Sequence, residues 1–170
     1  ILVARHVPET GGDTLWSSNY AAYDRLSDGM KAHLSGLEAV HDMGDFRNSF
    51  AESAEKITEG FDKMGCSIQP LIATHPTTGR KYLNFNEAFA THINGLTTTD
   101  ANALKVWIAG HMNAPEDQMR WRWKAGDMAM WDNRVTQHYA VADYLPAYRC
   151  MNRVTVIKDG RAKTDALAAQ

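Results

Sequence analysis

Residues 118–133 read QMRWRWKAGDMAMWDN. Met119, Trp121 and Trp123 fall on one face of an extended chain and Arg120, Arg122 and Lys124 on the other, which is the period of two that belongs to a β-strand. Ala125-Gly126 supplies a reversal, so the stretch predicts a hairpin, with Trp121 and Trp123 as core or interface residues because paired aromatics on one strand face pack well. Downstream, residues 148–157 are rich in β-branched side chains and predict a last strand, followed by a frayed tail over 158–170. Upstream, residues 67–74 and 81–85 are short apolar runs separated by HPTTG, where Pro76 and Gly79 supply turn chemistry and His75 belongs to the turn. A second hairpin is expected there.

Helices punctuate these strands. Thr99 and Asp100 precede ANALKVWIAGHM, with Leu104, Trp107 and Ile108 on one helical face and Asn113 and Pro115 ending the pattern. Ala22, Leu26 and Met30 recur at helical steps, so a helix is predicted over residues 18–34, capped by Ser17 or Ser18 and broken near Gly29. Residues 1–7 and 37–41 read as strand. Residues 44–65 are polar and charged, and are expected to form a lid over a site. Many short strands without regular strand-helix alternation predict a mainly β protein with flanking helices, an antiparallel sandwich or barrel. With 170 residues, a single domain over residues 1–157 is expected.

Composition excludes several functions. The chain is 44% hydrophobic and 22% charged, the balance of a globular protein. Eighteen Lys+Arg against 20 Asp+Glu leave a net charge of -2, too little surplus to hold nucleic acid or an anionic membrane. No apolar stretch approaches the roughly 18 residues that a bilayer requires. Cys66 and Cys150 lack metal or redox spacing and read as structural, and the eight methionines read as gap-fillers, so a reducing cytoplasm is the expected location. The chain opens on Ile1 in what reads as strand, and an upstream part of the fold is expected to be absent from it.

The chemistry concentrates in residues 131–156, WDNRVTQHYAVADYLPAYRCMNRVTV. His138 is placed just beyond a strand, and Arg149, Met151 and Arg153 should share one face of the next. If that face is the inside of a barrel, two guanidinium groups are buried, and buried guanidiniums need anionic partners such as a carboxylate or sulfonate. The alternation of Cys150, Asn152 and Val154 does not by itself decide which face is inside. Taken alone, His138 is more often a satisfied core histidine, Thr14 a helix N-cap, and Phe50 and Phe89 core residues.

GGDTLW at 11–16, HPTTGRKYLNFNEAF at 75–89, RWRW at 120–123 and WDNRVTQHYAVADY at 131–144 resemble, in this order, the taurine dioxygenase family of iron(II)- and 2-oxoglutarate-dependent oxygenases. The resemblance runs from about residue 11 to residue 156, and it implies a double-stranded β-helix, the jelly-roll or cupin-like fold. It implies that His138 is the distal histidine of a facial triad for Fe(II), and that Arg149 and Thr14 hold the far carboxylate of 2-oxoglutarate. By the same resemblance Arg153 grips an anionic substrate, Phe50 and Phe89 wall the substrate pocket, and Trp131 neighbours the metal. The family's His-x-Asp pair, which lies upstream of GGDT, is absent: none of the seven histidines is followed two positions later by Asp or Glu.

The implied activity is O2-dependent oxidation of a small anionic substrate coupled to decarboxylation of 2-oxoglutarate to succinate and CO2. A sulfonate such as taurine, hydroxylated beside sulfur, would collapse to sulfite and an aldehyde. Alkyl sulfate esters and aryloxyalkanoic acids are the alternative substrates, and a non-catalytic anion-binding pseudo-enzyme is the alternative function. A homo-oligomer is expected.

Overall fold

The structure, a computed structural model, describes residues 1–42 and 66–156. The expected lid and the C-terminal tail lie outside them, as does Phe50. The chain divides into two compact units, one of residues 1–15, 120–132 and 139–170, the other of residues 16–119 and 133–138.

In the first unit β1 (Leu2–His6) is the centre of an antiparallel sheet, between β11 (Cys150–Arg153) and β9 (Met128–Ala129). Leu2 faces Arg153 and Ala4 faces Met151, then the register slips so that His6 faces Cys150, which makes Arg5 the extra residue of a bulge. The final strand is therefore shorter than residues 148–157, and its ladder ends where Val154 N–H donates to the carbonyl of Ile1.

The second unit holds most of the apolar core. A sheet of order β4-β3-β7 (Ser67–Pro70, Glu38–His41, Ala90–Ile93) and the hairpin of β5 (Ile72–Thr74) with β6 (Lys81–Leu83) meet three helices, α1 (Asn19–Asp24), α2 (Asp28–Ser35) and α3 (Thr98–Met112). Helix α1 lies against β6, α2 against β5 and α3 against β7. Leu34, Leu71, Leu83, Ile93, Ile108 and Met112 are fully buried between them, and each such side chain contributes about 1.5–3 kcal/mol by leaving water. A further sheet has the order β10-β2-β8, built from Thr136–Ala140, Thr14–Ser18 and Gln118–Trp121.

Several expectations are borne out with local corrections. The β5-β6 hairpin forms, and His75 holds its turn by accepting the N–H groups of Thr77 and Thr78 on Nδ1. The helix expected over 18–34 is two helices. It breaks at residues 25–27 rather than near Gly29, because Ser27 accepts Met30 N–H and starts a new helix, with Gly29 inside it. Ser18 caps α1, so Thr14 is the first residue of β2 and not an N-cap. Helix α3 starts at Thr98, ahead of Thr99 and Asp100, with Thr97 as its cap. Trp107 is exposed and stacks on His111, while Ala101, Ile108 and Met112 form the buried stripe with Leu104 beside it. One predicted element is wrong: residues 118–133 turn at Gly126, but β8 and β9 join different sheets, so no hairpin forms. Met119 and Trp121 are exposed, and Trp123 alone of the alternating set is buried.

Half-buried at the end of β3, His41 has an Nδ1 without a hydrogen-bond partner among the described residues. Burial lowers its pKa from the ordinary 6.5, against a smaller opposing contribution from the backbone of Ala39. The unfolded chain therefore binds the proton more readily. Stability carried by the neutral ring is complete above about pH 6.5 and declines as pH falls from there toward the lowered native value. Thermal melting between pH 7.5 and 5.5 should show a decline that is shallower in His41→Leu; equal slopes in the two proteins would remove His41 from the effect.

Candidate functional site

The first unit gathers GGDT, RWRW, the Asp143-Tyr144 pair and Arg149 around one loop. Gly11 and Gly12 have φ values of 77° and 72°, a region that side chains rarely enter. The turn is packed from both sides. A Cβ on Gly11 would stand 2.7 Å from Oδ1 of Asp143, and one on Gly12 would stand 2.9 Å from Cδ and 3.0 Å from Nε of Arg149. Gly12 N–H donates to Asp143 Oδ1 at 2.7 Å, and the Gly12 carbonyl accepts from Arg149 Nε at 3.0 Å. The Arg149 guanidinium also stands 5.7 Å from the centre of the Tyr144 ring.

Next to these glycines, Asp13 accepts from Arg120 Nε at 2.7 Å, and Nη2 of Arg120 lies 3.7 Å from Oδ2 of Asp143. The hydrogen bond to Asp13 is the main cause of a raised Arg120 pKa, so this arginine stays charged. The Asp13 carbonyl accepts Val141 N–H, and the Glu9 carbonyl accepts Nη2 of Arg122. Thr14 is 1% exposed, and its Oγ1 accepts from the buried Trp123 indole at 2.9 Å. That bond occupies a lone pair and leaves the hydroxyl hydrogen to donate.

Arg149 is half-buried one residue ahead of β11, and its Nη2 is buried without a hydrogen-bond partner among the described residues. An unmatched guanidinium nitrogen in such a place is costly unless an anion meets it. With Nε fixed on Gly12, the remaining edge suits one carboxylate, and the Thr14 hydroxyl is a neutral donor to the same type of group.

Of the predicted site residues, Thr14 and Arg149 are brought to one loop, on either side of Gly12. Arg153 belongs to the same unit but is exposed at the far end of β11, opposite Leu2. The sequence left open whether both guanidiniums are buried; of the two, Arg149 alone is withdrawn from solvent. Trp131 is half-buried, two residues after β9. In the second unit, half-buried Phe89 leads into β7, its carbonyl accepting Asp42 N–H.

His138 lies within β10 rather than beyond a strand, and it is exposed, so it is not a core histidine. The reason is alternation: the preceding Gln137 turns inward to donate to the Phe85 carbonyl at 2.9 Å, which sends His138 to the other side. Among the described residues no three His, Cys, Asp or Glu side chains form a metal-binding group. The sequence reading missed Asp13, Arg120, Asp143 and Tyr144. Its available signal was the Gly-Gly pair, which announces a backbone that something approaches closely.

The arrangement defines the class first: a strand-rich protein with a half-buried arginine fixed beside a glycine turn. The Taurine catabolism dioxygenase TauD, TfdA family matches residues 1–155. An alpha-ketoglutarate-dependent sulfate ester dioxygenase of Pseudomonas putida is 36% identical over 155 residues, covering 88% of this chain and 51% of that protein. An alpha-ketoglutarate-dependent 2,4-dichlorophenoxyacetate dioxygenase of Cupriavidus pinatubonensis is 33% identical over 159 residues, 94% of this chain and 55% of that one. The crystal structure of a taurine dioxygenase from Burkholderia xenovorans superposes with a TM-score of 0.74 at 30% identity, covering 88% of this chain and 48% of that one. The chain belongs to the TauD/TfdA family, and it spans about half the length of these relatives. Its fold class, mainly β in a jelly roll with flanking helices, is that of its structural neighbours, as expected from the sequence. Dioxygenases of this family use Fe(II), 2-oxoglutarate and O2.

Proposed function

We propose that this chain is the 2-oxoglutarate-binding part of an Fe(II)-dependent dioxygenase that oxidises a small anionic substrate, and that residues 1–157 form one jelly-roll domain followed by a tail. The observation that carries the reading is Arg149: a half-buried guanidinium held by Gly12, with a buried nitrogen that no group among the described residues satisfies. In this reading Arg149 and Thr14 receive the far carboxylate of 2-oxoglutarate and orient it, the guanidinium by charge and the hydroxyl by a single hydrogen bond.

The described residues fit the organic acid better than they fit the metal. For iron they offer one candidate ligand, His138, and no complete ligand set. When bound, iron would let O2 oxidise 2-oxoglutarate and then a substrate C–H bond. Trp131 is assigned a supporting place near the metal.

For the substrate we propose a sulfonate such as taurine, which would release sulfite and an aldehyde. Alkyl sulfate esters and aryloxyalkanoic acids are the neighbouring choices, supported by the relatives that act on a sulfate ester and on 2,4-dichlorophenoxyacetate. Arg153 is the proposed anion grip, with Phe89 and Phe50 as pocket walls. Replacing Arg153 by Gln should raise the KM for the anionic substrate on the order of tenfold or more while leaving the Kd for 2-oxoglutarate near its original value. Equal losses in both would remove the assignment.

The experiment that tests the whole reading is anaerobic addition of Fe(II) and 2-oxoglutarate, followed by taurine. A weak visible charge-transfer band that moves with taurine is expected. No band, together with retained binding of 2-oxoglutarate, would leave a non-catalytic anion-binding protein instead. We further read the protein as a cytoplasmic homo-oligomer that binds neither nucleic acid nor membrane. Among the described residues no helix is long and apolar enough to cross a bilayer; light scattering of the purified protein tests the oligomer.

A further inference from the structure

Asp143 is 131 positions from Gly12 in the chain, yet its Oδ1 holds the Gly12 amide at 2.7 Å. On the opposite side of the same peptide group region, the Gly12 carbonyl holds Nε of Arg149 at 3.0 Å. The aspartate thus lies at the base of a relay: carboxylate to glycine amide, glycine carbonyl to guanidinium. Gly12 holds a positive φ that it adopts no more readily than a negative one, and it has no side chain of its own to anchor it. Asp143 does that anchoring, and it is held in turn by Arg120, whose guanidinium spans Asp13 and Asp143.

We propose that Asp143 is the positioning residue of the 2-oxoglutarate site, acting through Gly12 to fix the direction of the Arg149 guanidinium. The proposal rests on the assignment of Arg149 to 2-oxoglutarate. Asp143 itself does not touch the acid. Its negative charge matters less than its acceptor oxygen, because the partner is a neutral amide. Asn can supply that oxygen and Ala cannot.

Isothermal titration of 2-oxoglutarate into the protein, run with and without added Mn(II), a redox-quiet stand-in for Fe(II), reads the effect without turnover. Asp143→Ala should weaken binding about tenfold or more, the scale of one hydrogen bond to a misdirected charged group, whereas Asp143→Asn should stay within about threefold. If Asp143→Ala does not fold, Asp143→Ser, whose hydroxyl is one bond short of the Gly12 amide, takes its place. A purely structural role is separated by a cycle with Arg149→Lys: in that background Asp143→Ala should add little, because the Nε bond to Gly12 is already gone. Full additivity, or an Asp143→Ala protein that binds as the original does while Arg149→Lys is impaired, overturns the positioning role alone. Unimpaired binding in Arg149→Lys and Arg149→Gln overturns the parent assignment with it.

Discussion

Arg149→Gln should abolish 2-oxoglutarate-dependent turnover and weaken binding of the acid on the order of 100-fold. The glutamine is uncharged and ends where Nε stood, so its amide can still donate to the Gly12 carbonyl, but it loses the charge and both terminal guanidinium nitrogens, including the buried Nη2 that has no hydrogen-bond partner among the described residues. Truncating one side of a desolvated charge pair costs about 2–5 kcal/mol, and each 1.4 kcal/mol is a factor of ten. Folding should suffer much less, since the native chain already leaves that nitrogen unsatisfied. A calorimetric Kd with succinate yield as a second readout checks it, and an unchanged succinate yield would refute the assignment.

Gly12→Ala should be the most damaging small substitution in the first unit. Two costs add. A non-glycine residue at φ 72° costs roughly 1–2 kcal/mol, and the new methyl would press on Arg149 at 2.9 Å from Cδ and 3.0 Å from Nε, an overpacking of about 1–3 kcal/mol. Arg149 can escape only by giving up its bond to Gly12, so stability and 2-oxoglutarate affinity should fall together. Gly29→Ala is the internal control: it lies inside α2 with no atom within 4 Å of the new Cβ, and should be neutral or stabilising by up to about 1 kcal/mol. Chemical denaturation of the two variants separates the cases, and a Gly12→Ala protein as stable as Gly29→Ala would show that the turn is not under this constraint.

Much of the local structure is legible because it is decided by short-range chemistry. Ser18 and Thr97 cap helices for the reason that any Ser or Thr does at such positions, and HPTTG turns because Pro and Gly dictate it. The failures share a cause as well. Alternation in RWRW and MAM assigns faces to side chains but says nothing of which strand lies alongside, and here β8 and β9 turn to different sheets. Trp107 looks like core on apolarity alone, but the helix face that meets β7 carries Ala101, Ile108 and Met112 instead.

At the site the division is similar. His138, Arg149 and Thr14 stand out through the blocks that contain them, since residue type and spacing are properties of the chain. By itself the sequence determined the strand-rich class, the HPTTG turn and the family. Only the tertiary structure decided that Arg149 is withdrawn and Arg153 exposed, and that Asp143, rather than any near neighbour, holds Gly12. Burial and pairing between positions so far apart depend on how sheets close and which strands meet, and no local preference encodes that.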